Sequence, residues 1–340
     1  MTMAPQPTRL DELPPFWGGD LQTIRMNFRR DHPSLDDVPP FEVQIPFDDG
    51  TGDQTIGWIH APKTQKYPGL LVVLGHGYGG DADSAYMVWA TRFFIDAGVS
   101  VLRVNMRGAG KSRALCRNDY HGAKGEDLVA ICDWLANAPA GQVPFKIEKL
   151  YFVGTSLSGA ILANALARVG DADVRGGAQV DQFIGGTGLC FAMDMPLAAR
   201  RVHVPRNWPY LQYLLGKSKE IYRGSPAISA KTLERVEAAK TIYEIDEAVT
   251  IGPLGFSTVF EFYEFASAKH SVPHVRRPMK AIATMNDPWV PAQSFLDVDW
   301  SNPLAQPRLF TSGGHCGLWE RGQRYQRHFH EALAHLESLL

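Results

Sequence analysis

The chain predicts an α/β fold: a doubly wound, mostly parallel sheet with an N-terminal antiparallel hairpin and a helical insertion late in the sheet. Three observations carry that prediction. Continuous apolar runs such as Leu70-Leu71-Val72-Val73-Leu74 lack a polar face, as strands buried on both sides of a parallel sheet require. Segments of helical apolar spacing alternate with these runs. Residues 189–277 then carry many aromatic and long aliphatic side chains but no parallel-strand signal. The division that follows is an arm over 1–40, a core over 41–188 and 278–340, and an inserted helical cap over 189–277.

The elements can be justified in chain order. The arm is rich in proline and acid, and its one apolar cluster, Pro14 to Ile24, reads as an irregular segment docked by its aromatic residues. Phe41, Val43, Ile45 and Phe47 alternate with polar residues, and Ile56, Trp58 and His60 do so again after Asp48-Asp49-Gly50, which predicts a hairpin. Strands are expected at Leu70 to Leu74, Val99 to Val104, Leu150 to Gly154, Gln179 to Ile184, Met279 to Met285 and Arg308 to Thr311. Helices are expected at Ser84 to Ala97, Gly125 to Ala136, Ser158 to Val169 and Arg321 to Leu340.

Composition narrows the function classes. With 34 Lys and Arg against 36 Asp and Glu, no net field favours nucleic acid or an anionic membrane surface. Cys116, Cys132, Cys190 and Cys316 lack the paired spacing of a zinc or redox site, so no metal, cofactor or disulfide framework is expected. Gly108-Ala109-Gly110-Lys111-Ser112 lacks the earlier glycine of a phosphate-binding loop, because Asn105 stands there. Met1 to Leu10 has no basic patch before an apolar stretch, and no run approaches the roughly 20 apolar residues that span a bilayer. The expectation is a soluble, cytoplasmic chain without integral membrane contact.

The chemistry centres on Gly154-Thr155-Ser156-Leu157-Ser158-Gly159, where a strand-like run turns abruptly into a helix-like one. A serine held at such an elbow is clear of its own backbone and can be handed to a base, while the next amide, that of Leu157, points where an oxyanion would form. Gly154 and Ser156 fit the Gly-x-Ser-x-Gly pattern, whereas Ser158 replaces the last glycine. On the stretch alone, a Gly/Ser-rich helix cap with Ser156 as an ordinary N-cap is an equal reading.

A nucleophilic serine on an α/β-hydrolase sheet is followed in the chain by an acid and then a histidine. His315, in Ser312-Gly313-Gly314-His315, follows the late strand ending near Thr311 and is the candidate base; His328, His330 and His335 fall in the terminal helix as solvated or packed residues. Asp287 directly follows the preceding strand and is the first choice for the acid. Asp297 and Asp299 read as surface charges, and Asp246 as a structural or cap contact. The loop Gly75-His76-Gly77-Tyr78-Gly79-Gly80 supplies a second oxyanion donor, the Tyr78 amide, with the His76 ring as a buttress. If the insertion folds over the elbow, Phe191, Met193, Trp208 and Tyr213 line the acyl site; the alternative is a packing layer without substrate contact.

Several motifs together resemble the YheT-like branch of the α/β-hydrolases, relatives of ABHD-type esterases and lipases. They are Asp20-Leu21-Gln22-Thr23, the Gly-His-Gly loop, Met106-Arg107-Gly108-Ala109-Gly110 with Tyr120-His121-Gly122, Tyr243 to Thr250 with Gly255-Phe256, Asn286-Asp287-Pro288 and Gly313-Gly314-His315. The resemblance runs from about Phe16 to Glu320. It implies a serine esterase or lipase-like enzyme with its triad on Ser156, Asp287 and His315, and glycine is usual in the branch where Ser158 stands. A small-molecule ester or lipid substrate, with medium-chain acyl groups preferred over acetyl, is the expectation. An acyltransferase with the same triad and a catalytically silent binder of apolar ligands remain as alternatives.

Overall fold

The computed structural model describes residues 5–29, 31–173 and 177–340. Residues 1–4 and 30 of the predicted arm, and 174–176 of the predicted core, lie outside the described residues. Among the described residues, β1 (Phe41–Pro46), β2 (Gln54–His60), β3 (Leu70–Gly75), β4 (Ser100–Val104), β5 (Lys149–Thr155), β6 (Phe183–Leu189), β7 (Met279–Thr284) and β8 (Ala305–Phe310) form one sheet in the order β1-β2-β4-β3-β5-β6-β7-β8. β2 is antiparallel to both its neighbours, and every pair from β4 to β8 is parallel.

The apolar strands behave as their lack of a polar face requires. Leu71, Val73, Leu150 and Phe152 point to one side of the sheet, where α3 (Gly125–Asn137) and α4 (Leu157–Arg168) cover them with Leu128 and Ile161. Leu70, Val72, Leu74 and Tyr151 point to the other, against Trp89 and Phe93 of α2 (Ala85–Asp96) and Phe329 and Leu336 of α12 (Arg327–Glu337). Each strand residue is thus buried whichever way the pleat turns it. In the false nucleotide loop, the Ser112 hydroxyl accepts the Ile56 amide at 2.8 Å and holds a short 3-10 turn to the sheet.

Two expectations need correction. The arm is not an irregular segment docked by its aromatic residues: Gly18–Phe28 is a helix, α1, and Trp17 and Phe28 are 58% and 67% exposed. A buried polar residue docks it instead, since Gln22 accepts the Trp319 amide at 2.8 Å and donates to the Phe16 and Trp319 carbonyls. The strand expected at Gln179 to Ile184 is β6, which starts at Phe183 and runs to Leu189. Its Gly185, Gly186 and Gly188 imitate a turn, but they are close-approach positions. A Cβ on Gly185 would meet the Pro278 carbonyl oxygen at 2.3 Å, and one on Gly186 the Phe152 carbonyl oxygen at 2.6 Å.

Between β6 and β7 the chain is helical: α5 (Met195–Val202), α6 (Trp208–Arg223), α7 (Ala230–Ala238), α8 (Ile242–Val249), α9 (Ile251–Leu254) and α10 (Val259–Ala266). α11 (Ala292–Leu296) follows β7. The inserted helices have an apolar core of their own, including Leu211, Leu214, Tyr222, Val236 and Ile245, onto which Tyr78 and Trp289 pack from the loops below.

Candidate active site

Ser156 lies between β5 and α4 at φ 52°, ψ −121°, a conformation that L residues seldom hold without strain. The surroundings impose it: the Ser156 amide donates to the Leu189 carbonyl at 2.8 Å and its carbonyl accepts the Gly159 amide at 2.8 Å. Gly154 must lack a side chain, because a Cβ there would meet the Ser158 carbonyl oxygen at 2.4 Å. Ser158 is accommodated because the space is left by another residue. It is fully buried against Gly75, where a Cβ would stand 2.9 Å from the Ser158 Cβ, and its hydroxyl donates to the His76 carbonyl.

His315 meets Ser156 from the loop after β8. Its Nε2 is 3.0 Å from the Ser156 Oγ and its Nδ1 is 2.8 Å from Asp287 Oδ2. The other Asp287 oxygen accepts the amides of Trp289 and Val290 at 2.7 and 2.9 Å, so the carboxylate is fixed at both ends. With Nδ1–H directed at the carboxylate, Nε2 is left with its lone pair toward the serine. Trp289 covers the imidazole at a centroid distance of 4.4 Å. None of the other acid candidates reaches His315. Asp246 accepts the Tyr263 hydroxyl and ties α8 to α10, Asp297 is exposed and takes the Gln293 amide, and Asp299 caps the Ser301 amide at 2.9 Å.

The histidine loop is held by residues that sequence reasoning passed over. Thr23 of α1 accepts the His315 amide at 2.8 Å, and Asn286 accepts the Gly314 amide at 2.9 Å. Gly314 needs its open conformation, φ 59°, because a Cβ would collide with the Gly19 carbonyl oxygen at 2.1 Å. The available signal was the Asp20-Leu21-Gln22-Thr23 motif, whose Gln22 and Thr23 face the protein from α1.

After β3 the chain forms a loop whose amides are almost all engaged. The His76 ring accepts the Met106 amide at Nε2 and bonds the Gly77 carbonyl through Nδ1, both at 2.9 Å, and burial pushes its pKa down to about 4. Gly77 donates to Tyr86 and Gly79 to Tyr120, each at 2.9 Å. The Tyr78 and Leu157 amides take no intramolecular hydrogen bond among the described residues, and both residues line the cavity that holds Ser156.

That cavity has a volume of about 1090 Å³ and is walled by α1, the loops and the inserted helices. Tyr213 lines it, together with Leu214, Tyr210 and Ile24. Phe191, Met193 and Trp208 do not line it. Phe191 is buried under the elbow, filling the space left by Gly159 and Gly188, and Met193 is packed in the same core cluster. Trp208 opens α6 with its side chain 62% exposed.

The chain has known relatives. The model of the alpha/beta hydrolase family matches residues 71–326. An abhydrolase domain-containing protein of Dictyostelium discoideum is 25% identical over 73% of this chain, which spans 61% of that relative's length. The YheT protein of Escherichia coli is 24% identical over 77% of this chain and 74% of its own. The human phospholipase ABHD3 is 22% identical over 91% of this chain and 74% of its own. Among solved structures, a Pyrococcus furiosus esterase superposes with a TM-score of 0.57 at 15% identity, covering 100% of this chain and 98% of that one, a likeness of fold. With the family model spanning the sheet from β3 through the histidine loop, the chain belongs to the alpha/beta hydrolase family, in its YheT-like branch.

Proposed function

We propose that this hydrolase cleaves carboxylic esters through an acyl-enzyme. The observation that carries the reading is the unbroken line from Asp287 Oδ2 through His315 to Ser156 Oγ, at 2.8 and 3.0 Å, opening into a large cavity. His315 takes the Ser156 proton as Oγ attacks the acyl carbon. Asp287 fixes the ring and stabilises the imidazolium that forms. The amides of Leu157 and Tyr78 meet the oxyanion, each worth on the order of 10²–10³ in kcat. His315 returns the proton to the alcohol as it leaves, and water resolves the acyl-enzyme by the same steps in reverse.

The cavity lies at the top of the size range for small-molecule sites, and Leu214, Ile24 and Tyr213 give it walls suited to hydrocarbon. Each buried methylene contributes about 0.8 kcal/mol, so medium-chain esters gain one to two orders of magnitude in kcat/KM over acetates. The test is labelling with a fluorophosphonate probe. Modification vanishes in Ser156→Ala and persists in Ser158→Ala; the reverse pattern, or an unlabelled wild type, rejects the mechanism. If p-nitrophenyl acetate is cleaved as efficiently as the octanoate, the acyl preference is wrong while the mechanism stands.

A further inference from the structure

α6 touches the catalytic machinery at two places. At its start, Asn207 donates to the Pro288 carbonyl at 2.7 Å, beside Asp287, and Tyr210 packs at 5.4 Å on Trp289, the residue that covers His315. Eleven residues on, about 16 Å along the helix, buried Ser218 meets Tyr78: the two hydroxyl oxygens are 2.7 Å apart. Ser218 has one proton, and it goes to the Leu214 carbonyl at 2.8 Å, so Tyr78 is the donor in that pair. Burial holds the Tyr78 phenol well above its ordinary pKa, which keeps the donated proton in place. The next residue of the loop presses on the same helix, because a Cβ on Gly79 would stand 2.7 Å from the Lys217 Cβ.

The oxyanion loop is therefore held from two sides. Met106, Tyr86, Tyr120 and Ser158 tie it to the core, and Ser218 ties it to the helix that roofs the cavity. Tyr78 joins the two, since its amide, which has no intramolecular partner among the described residues, is the oxyanion donor of the proposed reaction and its hydroxyl reaches α6. We propose that Ser218 is a positioning residue: through the Tyr78 hydroxyl it fixes the Tyr78 amide to α6, so that the seating of this helix over an acyl chain and the alignment of the oxyanion donor are one structural event. The inference rests on the ester-cleaving reading of Ser156. Leu214, the acceptor of the Ser218 proton, lines the cavity, so a bound acyl chain lies against the turn of α6 that carries the joint.

A loop free to drift by a fraction of an ångström loses transition-state stabilisation without losing ground-state binding. The experiment is a double-mutant cycle on p-nitrophenyl octanoate with Ser218→Ala, Tyr78→Phe and both together, reading kcat and KM separately alongside the melting temperature. Each single change lowers kcat about tenfold and leaves KM within about twofold, and the double variant is no slower than either single. Wild-type kcat in Ser218→Ala overturns the coupling, and so do single losses that multiply in the double variant or appear only in KM. Tyr78→Phe keeps the test decisive if Ser218→Ala fails to fold. A wild type that cleaves no ester and takes no fluorophosphonate overturns the proposed function and the coupling with it. An active wild type with indifferent variants overturns the coupling alone.

Discussion

The sheet and the inserted helices contribute to the same cavity on different terms. Ser156, Asp287 and His315 each follow a parallel strand, after β5, β7 and β8, and the strand ends are fixed by ladder bonds and by a core on both faces. The inserted helices have two small cores, one of which takes in Ala123 from the loop before α3, and they meet the loops below at contacts such as Asn207 to Pro288 and Tyr78 to Ser218. Position on the sheet side is therefore set by strand ladders and a core on both faces, and on the helical side by packing against loops. The geometry of the proposed triad belongs to the first side, the wall of the cavity largely to the second, and the Tyr78 loop is held by both.

The sharpest way to break this division is at the acid. Asp287→Asn keeps the shape and can still accept the Trp289 and Val290 amides, but it no longer fixes the His315 tautomer; kcat falls by about 10⁴ while the fold is retained. Circular dichroism and steady-state kinetics on the octanoate check it. If Asp246→Asn or Asp297→Asn is the dead variant instead, the strand-end assignment of the acid fails.

The second contrast sets two aromatic residues against each other. Phe191 is 3% exposed and fills the space left by Gly159 and Gly188, so Phe191→Ala costs about 3–5 kcal/mol of stability. Trp208 is 62% exposed, and Trp208→Ala stays within about 0.5 kcal/mol. Urea unfolding measures both. Equal losses would mean that the start of the insertion is as tightly packed as the sheet.

These two residues also mark where the sequence could be read. The parallel strands were legible because burial on both faces leaves continuous apolar runs, and the spacing of elbow, acid and histidine along those strands followed. Phe191 and Met193 were read as part of the insertion because β6, with its three glycines, imitated a turn; the strand consequently ended too early and the residues after it were assigned to the wrong layer. α1 was missed for a related reason. Its inward face includes Gly19, Gln22 and Thr23 while Leu21 and Phe28 are exposed, the inverse of the usual amphipathic pattern. The link between Tyr78 and Ser218 joins hydroxyls 140 positions apart and leaves no local pattern at all.

The last contrast separates the two regions by pH. The sheet side buries His76, His328 and His335, whose pKa values burial pushes down to about 4, 3 and 4 from 6.5. The unfolded chain binds these protons first, so stability is full above pH 6.5 and falls as the pH drops toward 4. His76 alone accounts for about 3 kcal/mol across that window. On the helical side Asp246 is half-buried in the cavity wall, and desolvation there raises its carboxyl pKa from 3.8 to about 7. Its folded form prefers the proton, so its contribution has the opposite sign: full below pH 3.8, lost as the pH rises to about 7. Melting temperatures between pH 5 and 6.5 isolate the histidines, because ordinary carboxylates are already ionised there. The melting temperature should fall on acidification through that interval. Asp246→Asn should raise it at pH 8 and steepen the fall below 6.5, since the opposing carboxyl has been removed. A wild-type profile flat from pH 6.5 to 5 would show that the buried imidazoles do not govern the acid limb, and an unchanged Asp246→Asn profile would remove the helical side from the balance.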